Sequence, residues 1–481
     1  MKQLIAALAI CLTFACYGRT VYCSSSSGSD SNPGTALRPF ATIAKGLSVA
    51  DTVLLKRGDV FYERVNAASH HVGAYSIGSK PVISGLKIPN GRVKWQRGKI
   101  VGGIWKKSST GNVWKLDLSK DNSYYDGFRT NGSNVFNNIG SVVLLDDVEK
   151  IYSRHCQYIT ELNEDFDFYQ ACENPAKAVA SDFDFIYLYS KTNPNKLKIG
   201  LSVGTNGIDV RNGSVSDLNI EFWGRHGITV GSNSHIDGCT VDHIGGIIER
   251  GYPVWCILGN GIEIWCADGA QNIEVANCRI SHCYDAGLTL QGIYKTDDVV
   301  VKDISFHNNV VYNCAQGWED FYRNEAQESP LKFINCYVSD NKFVDNGFNT
   351  GFRELTPRFK HCQVLANSSA PTDMVLSGNI FADGNFRACS KLKSTGLYNP
   401  QIFIDNVVYI VRGQSLFGNY GGTADVVYVP VEAAPGMTLE QTTQEAINKY
   451  RSLTGDKNTR FVVCDSPDDP RIVAIRQSLF N

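Results

Sequence analysis

The sequence predicts an all-β protein built as a parallel β-helix, a solenoid of short stacked strands. A five-residue pattern with glycine in second place recurs, and successive glycines lie 34, 26, 30 and 34 residues apart, a spacing typical of stacked units. The five copies read His226-Gly-Ile-Thr-Val, Asn260-Gly-Ile-Glu-Ile, Ala286-Gly-Leu-Thr-Leu, Gln316-Gly-Trp-Glu-Asp and Thr350-Gly-Phe-Arg-Glu. Each copy alternates along its length without a 3.6-residue period, so the unit is a strand.

A second column of residues supports this register without using the glycines. Its six members each lie two residues before an apolar position: Cys239, Cys278, Asn309, Asn341, Asn379 and Asn406. The sequence therefore accounts for six coils.

Alternation along each strand assigns the residues of the pattern to two faces. The inward column is Ile228, Ile262, Leu288, Trp318 and Phe352. The outward column is Thr229, Glu263, Thr289, Glu319 and Arg353, and a second outward column is Gly231, Trp265, Gln291, Phe321 and Leu355. Asp320 and Glu354 would then point inward, so a β-bulge is expected at those two coils.

The beginning of the chain has the features of an export signal. Residues 1–18 combine a short charged start with an apolar run too brief to span a bilayer. They predict a signal peptide and a secreted or periplasmic protein, with a lipid anchor at Cys16 as the weaker alternative. A net charge of -2 leaves no basic surplus for nucleic acid, and no later segment predicts a membrane span.

Residues 19–91 are interpreted as an N-terminal cap with the first coils. They contain Gly28-Ser-Asp30, Pro33-Gly34-Thr35 and an amphipathic stretch from Phe40 to Leu47. This segment resembles the N terminus of secreted proteins of the pectate-lyase-like superfamily, which implies a right-handed β-helix. The short helix would cover the open end of the solenoid, whose strand edges would otherwise be exposed.

The remaining chain divides into three regions. Residues 92–200 interrupt the repeat with strand-like segments and predict an inserted antiparallel, β-sandwich-like region, as the resemblance to β-helix glycosidases also implies. Residues 201–430 form the main solenoid. Residues 431–481 contain an amphipathic helix from Thr438 to Leu453, stopped by Gly455, and a closing cap.

Several of the fifteen cysteines occupy repeat columns, which favours free buried thiols over disulfides. Cys239 and Cys278 share one column, and Cys283 and Cys314 share another. Two loop pairs are better disulfide candidates: Cys156 with Cys172, and Cys256 with Cys266.

Carboxylates on the outward face indicate chemistry on a glycan. Glu263 and Glu319 lie two coils apart, about 9 to 10 Å at a strand spacing of ~4.8 Å, near the upper limit for inverting glycosidases, ~6.5–9.5 Å. Asp285 lies on the intervening coil, and pairing it with either glutamate would suit a retaining reaction. Trp265 would stack on a sugar ring with Gln291 beside it, under a loop from Ile247 to Gly259. The alternatives are an ion pair between Glu319 and Arg353, a solvated rim position for Glu263 and a turn-capping role for Asp285.

Two histidines suggest a different reaction. His226 in Arg-His-Gly resembles a motif of polygalacturonase-like glycosidases, and His243 in Val-Asp-His resembles a motif of pectate lyases. Either would act as the base of a polysaccharide lyase or epimerase, with Arg323, Arg353 or calcium neutralising a uronate carboxylate.

The sequence thus leaves three functions open. The first is a glycoside hydrolase without cofactor, the second the lyase or epimerase, and the third a glycan-binding or adhesin module, since a fold alone does not prove activity. A monomer acting on a polysaccharide is expected for the enzymes.

Overall fold

The predicted parallel β-helix is confirmed. The computed structural model describes residues 18–87, 94–96, 99–101, 105–108, 111–119, 138–145, 153–170, 183–248, 258–294, 299–324, 332–347, 362–368, 374–391, 398, 401–420 and 425–479. Within them, three long parallel sheets wind around one apolar core, and each contains ten strands.

The three sheets are named A, B and C. Each coil of the chain passes through them in the order A, C, B. Sheet A contains Thr20–Cys23, Thr52–Lys56, His71–Tyr75, Gly213–Ser216, Ser234–Asp237, Ala270–Ala276, Val300–His307, Lys332–Ser339, Val375–Ser377 and Ile402–Ile404. Sheet C contains Val60–Phe61, Val82–Ser84, Asn219–Glu221, Thr240–Ile244, Arg279–Cys283, Val310–Tyr312, Lys342–Val344, Ile380–Ala382, Val407–Val411 and Arg460–Cys464. Sheet B contains Val65–Ala68, Ile208–Arg211, Ile228–Val230, Ile262–Trp265, Ala286–Tyr294, Gln316–Asn324, Cys362–Ala366, Arg387–Cys389, Ser415–Asn419 and, antiparallel, Val427–Tyr428.

Sheet B carries the predicted repeat, and its inward column stacks as expected. Ile228 pairs with Ile262, Ile262 with Leu288, and Leu288 with Trp318, and all four are fully buried. The repeat glycines are required here, because a Cβ on Gly261 would lie 2.5 Å from Ile280 Cγ2 and 2.6 Å from Gly287 O.

The predicted fifth copy of the repeat, Thr350-Gly-Phe-Arg-Glu, was assigned to the wrong segment of the chain. Val364 stacks on Trp318 in place of Phe352, and residues 350–355 lie outside the described residues. At the glycine position of this coil stands Gln363, which is buried and accepts a hydrogen bond from Asn346 Nδ2 at 2.8 Å. In this coil a bonded glutamine side chain takes the position of the repeat glycine. A search for glycines therefore could not find this copy of the repeat.

The second column forms a ladder of buried side-chain amides. Asn309 Nδ2 donates to Asn341 Oδ1, Asn341 Nδ2 to Asn379 Oδ1 and Asn379 Nδ2 to Asn406 Oδ1, at 2.9–3.0 Å. Each Oδ1 of the last three also accepts the backbone N–H of the preceding coil's asparagine. The amides thereby satisfy buried backbone groups at every turn, which explains why asparagine recurs there.

The bulge predicted at Asp320 is absent from the described strands. Asp320 continues the regular ladder between Leu290 and Ala366 and points into the core. Gln401 Nε2 donates to Asp320 Oδ2 at 2.5 Å, and burial raises the pKa of Asp320 to about 7, although Gln401 and Arg387 oppose the rise. The core tolerates this residue because Gln401 bonds to one carboxyl oxygen and because the raised pKa makes the buried carboxyl easier to neutralise than an ordinary aspartate. Glu354 lies outside the described residues.

The inserted region forms its own sheets and core, and its strand pairs are antiparallel as predicted except for the parallel pair of Arg154–His155 with Asp167–Tyr169. A five-stranded sheet contains Lys106–Lys107, Val113–Asp117, Phe185–Tyr189, Asp167–Tyr169 and Arg154–His155; a three-stranded sheet contains Val142–Leu144, Ile199–Ser202 and Leu86–Lys87; a hairpin joins Lys94–Gln96 to Lys99–Val101. Short 3₁₀ helices span Ile159–Glu161 and Pro194–Lys196. The chain leaves sheet C at Val82–Ser84 and re-enters sheet B at Ile208–Arg211, so the insertion occupies a corner between these sheets.

The described residues contain three α-helices, which lie towards the ends of the chain. Helix α1 spans Ile43–Leu47, and α2 spans Leu439–Thr454 with Thr438 as N-cap and Gly455, at φ 73°, as C-cap. Helix α3, Pro470–Ser478, was not predicted. Residues 1–17 lie outside the described residues, so the signal peptide and the anchor at Cys16 stay predictions. Within the described part, no helix is long and apolar enough to cross a membrane.

The column cysteines are free buried thiols, as predicted for Cys239, Cys278, Cys283 and Cys314. Cys156 is also a free buried thiol, so the disulfide predicted for it is wrong. Cys172 and Cys256 lie outside the described residues, and the bridge from Cys256 to Cys266 stays a prediction.

Candidate functional site

An alternating column of acids and threonines runs along the outward face of sheet B. Thr229 pairs with Glu263, Glu263 with Thr289, and Thr289 with Glu319, as the sequence predicts. The column begins one coil earlier than predicted, because Asp209 pairs with Thr229. Its segment, Asn206-Gly-Ile-Asp-Val, has the same form as Asn260-Gly-Ile-Glu-Ile and could have been found by that likeness.

These carboxylates face outward but are not solvated. Glu263 is 5% exposed and Glu319 7%, while Thr289 is fully buried. The prediction of a solvated rim position for Glu263 is therefore wrong. Side chains of the neighbouring coils close over this position, since His226 of the preceding coil contacts Glu263.

The base of the loop between sheets C and B is attached to the insertion next to this column. Asn138 Nδ2 donates to Ile248 O at 2.9 Å, and Ile248 N donates to Asn138 Oδ1 at 2.7 Å. A ring nitrogen of His155 lies 2.9 Å from Gly246 O. Residues 249–257 of the predicted covering loop lie outside the described residues, but both of its ends are held beside sheet B.

Glu263 accepts hydrogen bonds from three side chains. Asn260 Nδ2 lies 2.8 Å and His226 Nε2 3.1 Å from Glu263 Oε2, and Gln291 supplies another hydrogen bond. Burial raises the pKa of Glu263, although these amides and the charge of Arg225 oppose the rise. The site thus favours the protonated form more than water would.

His226 is a neutral partner of Glu263. Its Nδ1 accepts the backbone N–H of Asn260 at 3.2 Å, so Nε2 carries the proton that faces Glu263. Burial, with the nearby charge of Arg225, lowers the pKa of His226 well below its ordinary value. Both ring nitrogens are engaged, and this contradicts the role of a free lyase base.

Asp209 has the opposite electrostatic environment. Arg64 contacts its Oδ2 through Nη2 at 2.6 Å and Nε at 3.0 Å, while Thr229 Oγ1 and Asn206 Nδ2 donate to Oδ1. Burial alone would raise the pKa of Asp209, but Arg64 and these donors outweigh it and lower the pKa. Asp209 is therefore held as a carboxylate.

Asp209, Glu263 and Glu319 lie at two-coil intervals, about 9 to 10 Å apart at the usual strand spacing. Glu263 is in the middle, with Thr229 on one side and Thr289 on the other. Among the described residues, Thr289 Oγ1 and Gln316 Oε1 are buried without a hydrogen-bond partner. Two such orphaned atoms beside a carboxylate are suited to hold a hydroxyl group or water.

The other predicted site residues divide into three groups. Trp265 pairs with Gln291 and is 47% exposed, as expected for a surface that stacks on a ligand. Asp285 is half-buried just before Ala286–Tyr294, outside the acid column, and its backbone links two coils. The side chain of Arg323 is not described, and Arg353 lies outside the described residues, so their roles stay predictions.

The comparisons with known proteins bear on the fold. Residues 200–386 match the family model described as right handed beta helix region. The chain therefore folds as a right-handed β-helix. No curated protein sequence matches it.

The solved structures that match this chain resemble it only distantly. XylC in complex with xylose is 13% identical, with a TM-score of 0.39, over 92% of this chain and 83% of that one. The GH136 lacto-N-biosidase of Eubacterium ramulus is 13% identical in its native form, with a TM-score of 0.41, over 92% and 68% of the two chains. Its selenomethionine derivative is 14% identical, with a TM-score of 0.39, over 93% and 67%. Likenesses this weak carry no argument about the reaction.

His243 does not belong to the acid column. It lies on sheet C of the right-handed β-helix, where its Nδ1 is 2.7 Å from Asp242 Oδ2. Its sequence neighbourhood suggested a site shared with His226, but the two histidines are on different sheets. A separate polar groove of about 280 Å³ lies on sheet A, where its lining includes His71, His235 and Glu274.

Proposed function

We propose that the protein is a glycoside hydrolase whose reaction takes place on the outward face of sheet B. The observation that carries this proposal is a pair of carboxyl groups with opposite pKa shifts in one column, Glu263 raised and Asp209 lowered. Such divergence separates an acid from a base within one site.

Glu263 is the general acid. Its proton passes to the glycosidic oxygen as the bond from that oxygen to the anomeric carbon breaks. His226, Asn260 and Gln291 position its carboxyl group, and the exposed ring of Trp265 stacks on the sugar.

Asp209 is the general base. Its carboxylate accepts a proton from the water that attacks the anomeric carbon on the opposite side, which regenerates a neutral hydroxyl in the product. The separation of about 9 to 10 Å is close to the ~6.5–9.5 Å of inverting enzymes. Glu319, at the same interval on the other side of Glu263, is the alternative base.

The lyase alternative has weaker support. Of its two candidate bases, His226 is bonded through both nitrogens and His243 lies on sheet C. The binding-module alternative predicted scattered carboxylates, whereas three of them share one column here.

A panel of plant, algal and host polysaccharides and oligosaccharides tests the proposal, with products assayed for new reducing ends and for unsaturated sugars. We expect reducing ends without unsaturated products, and their absence from an identically purified Asp209→Asn protein. Unsaturated products would establish a lyase. Binding without turnover of any glycan in the panel would favour the binding module and contradict the proposal.

A further inference from the structure

A second cluster of chemically active side chains lies on sheet C, away from the acid column. Asp242 and His243 end the strand Thr240–Ile244, and His282 occupies the same corner one coil later, in register. His243 Nδ1 lies 2.7 Å from Asp242 Oδ2, and His282 Nδ1 lies 2.8 Å from Asp242 Oδ1. One carboxylate thus joins two imidazoles from successive coils.

The backbone and the neighbouring rings fix this arrangement. Both histidines adopt left-handed conformations, with φ of 54° and 50°, so the chain turns the same way at each coil. Their rings stack at 4.5 Å between centroids and 25° between planes, and Phe222 packs against His243 at 5.1 Å. The three side chains are partly buried, which limits their motion while leaving them reachable from solvent.

We propose that Asp242, His243 and His282 bind one divalent transition-metal ion of the zinc type. One ligand atom from each residue lies within 4.8 Å of the other two. Imidazole nitrogen with carboxylate oxygen is a ligand set that suits zinc, copper and nickel, whereas calcium requires oxygen ligands. The site would connect two coils at a corner of the solenoid and is independent of the proposed hydrolase reaction.

The geometry requires only small side-chain movements. Zinc binds nitrogen at ~2.0–2.1 Å and carboxylate oxygen at ~2.0–2.2 Å in tetrahedral sites, so ligand atoms lie about 3.4 Å apart. The present nitrogen-to-oxygen distances of 2.7 and 2.8 Å must widen by about 0.6 to 0.7 Å to reach this value. Glu221 pairs with Asp242 on the preceding strand, and the charge of Asp242 contributes to raising the pKa of Glu221.

Calorimetric titration of chelator-treated, tag-free protein with zinc chloride at neutral pH tests this inference. We expect one ion per chain, and a loss of affinity by about 100-fold or more in His243→Ala and in His282→Ala. Cobalt titration gives a second readout, because a four-coordinate ion produces an intense visible absorption band that a purely structural role of the histidines would not produce. Circular dichroism checks that both variants are folded.

The chain provides a matched control on sheet A. There His235 and His307 flank Glu274 at 2.7 and 2.8 Å, but among the described residues only the sheet C group has all three ligand atoms within 4.8 Å of one another. His235→Ala and His307→Ala should therefore leave the zinc stoichiometry and affinity unchanged. Zinc binding that survives both sheet C substitutions, or no binding by the wild-type protein, would overturn the proposal and leave the cluster as a hydrogen-bonded corner.

Discussion

Glu263→Gln is expected to lower kcat by about 10²- to 10⁴-fold, the usual contribution of a general acid. The amide keeps the size of the side chain and part of its hydrogen bonding but has no proton to give to the leaving oxygen. Glu263 is buried and accepts hydrogen bonds from Asn260 and His226. A glutamine side chain has only one accepting oxygen, so it satisfies these donors less well, and we expect the unfolding free energy to fall by about 1–3 kcal/mol. Kinetics on the substrate found in the panel and thermal unfolding measure both effects.

The pH profile gives a second readout of the same residue. A raised pKa keeps Glu263 protonated to higher pH than an ordinary glutamate, and wild-type activity falls as the pH rises through that value. This basic limb should be absent from the residual activity of Glu263→Gln. Glu274→Gln is the matched control, because Glu274 also accepts hydrogen bonds from histidines but lies on sheet A. A Glu263→Gln enzyme with wild-type kcat would refute the assignment.

Ile262→Asp is expected to prevent folding of the solenoid. Ile262 is fully buried between Ile228 and Leu288, so aspartate would place an unpaired charge in the core and remove an apolar contact with each neighbouring coil. Such a charge costs about 3–5 kcal/mol, a large part of the ~5–15 kcal/mol that stabilises a typical protein. Circular dichroism and size-exclusion chromatography should show unfolded or aggregated chains.

The control for this substitution is Gln271→Asp, an exposed position at the start of the next coil. It introduces the same charge without burial and should unfold cooperatively at nearly the wild-type temperature. A soluble Ile262→Asp protein with a cooperative transition would mean that the side chain does not face the core and that the register is wrong.

Local pattern was sufficient for most of the solenoid. The repeat glycine follows from a steric limit at each corner, and the ladder asparagine follows from the need to satisfy buried backbone groups, so both leave a mark in the sequence. The prediction failed at the coil where a residue other than glycine occupies the corner. Gln363 stands where the other coils have glycine and bonds to Asn346, and the pattern assigned Phe352 in place of Val364.

The candidate site was only partly predictable for a different reason. The column of Glu263, Thr289 and Glu319 follows from alternation, but alternation does not reveal that these side chains are buried or that Glu263 is bonded to His226 of the preceding coil. Burial in turn sets the pKa of Glu263. His226 and His243 were both candidate bases from sequence, and only the order of strands within each coil shows that His226 precedes a sheet B strand while His243 lies on sheet C.

The configuration of the first product, followed by proton NMR during hydrolysis, tests the central assignment most directly. A base and an acid separated by two coils leave room for a water between Asp209 and the sugar, so the anomeric configuration should be inverted. Retention would require a nucleophile about 5 Å from the acid, which Asp209 is not, and would contradict the pairing of Glu263 with Asp209.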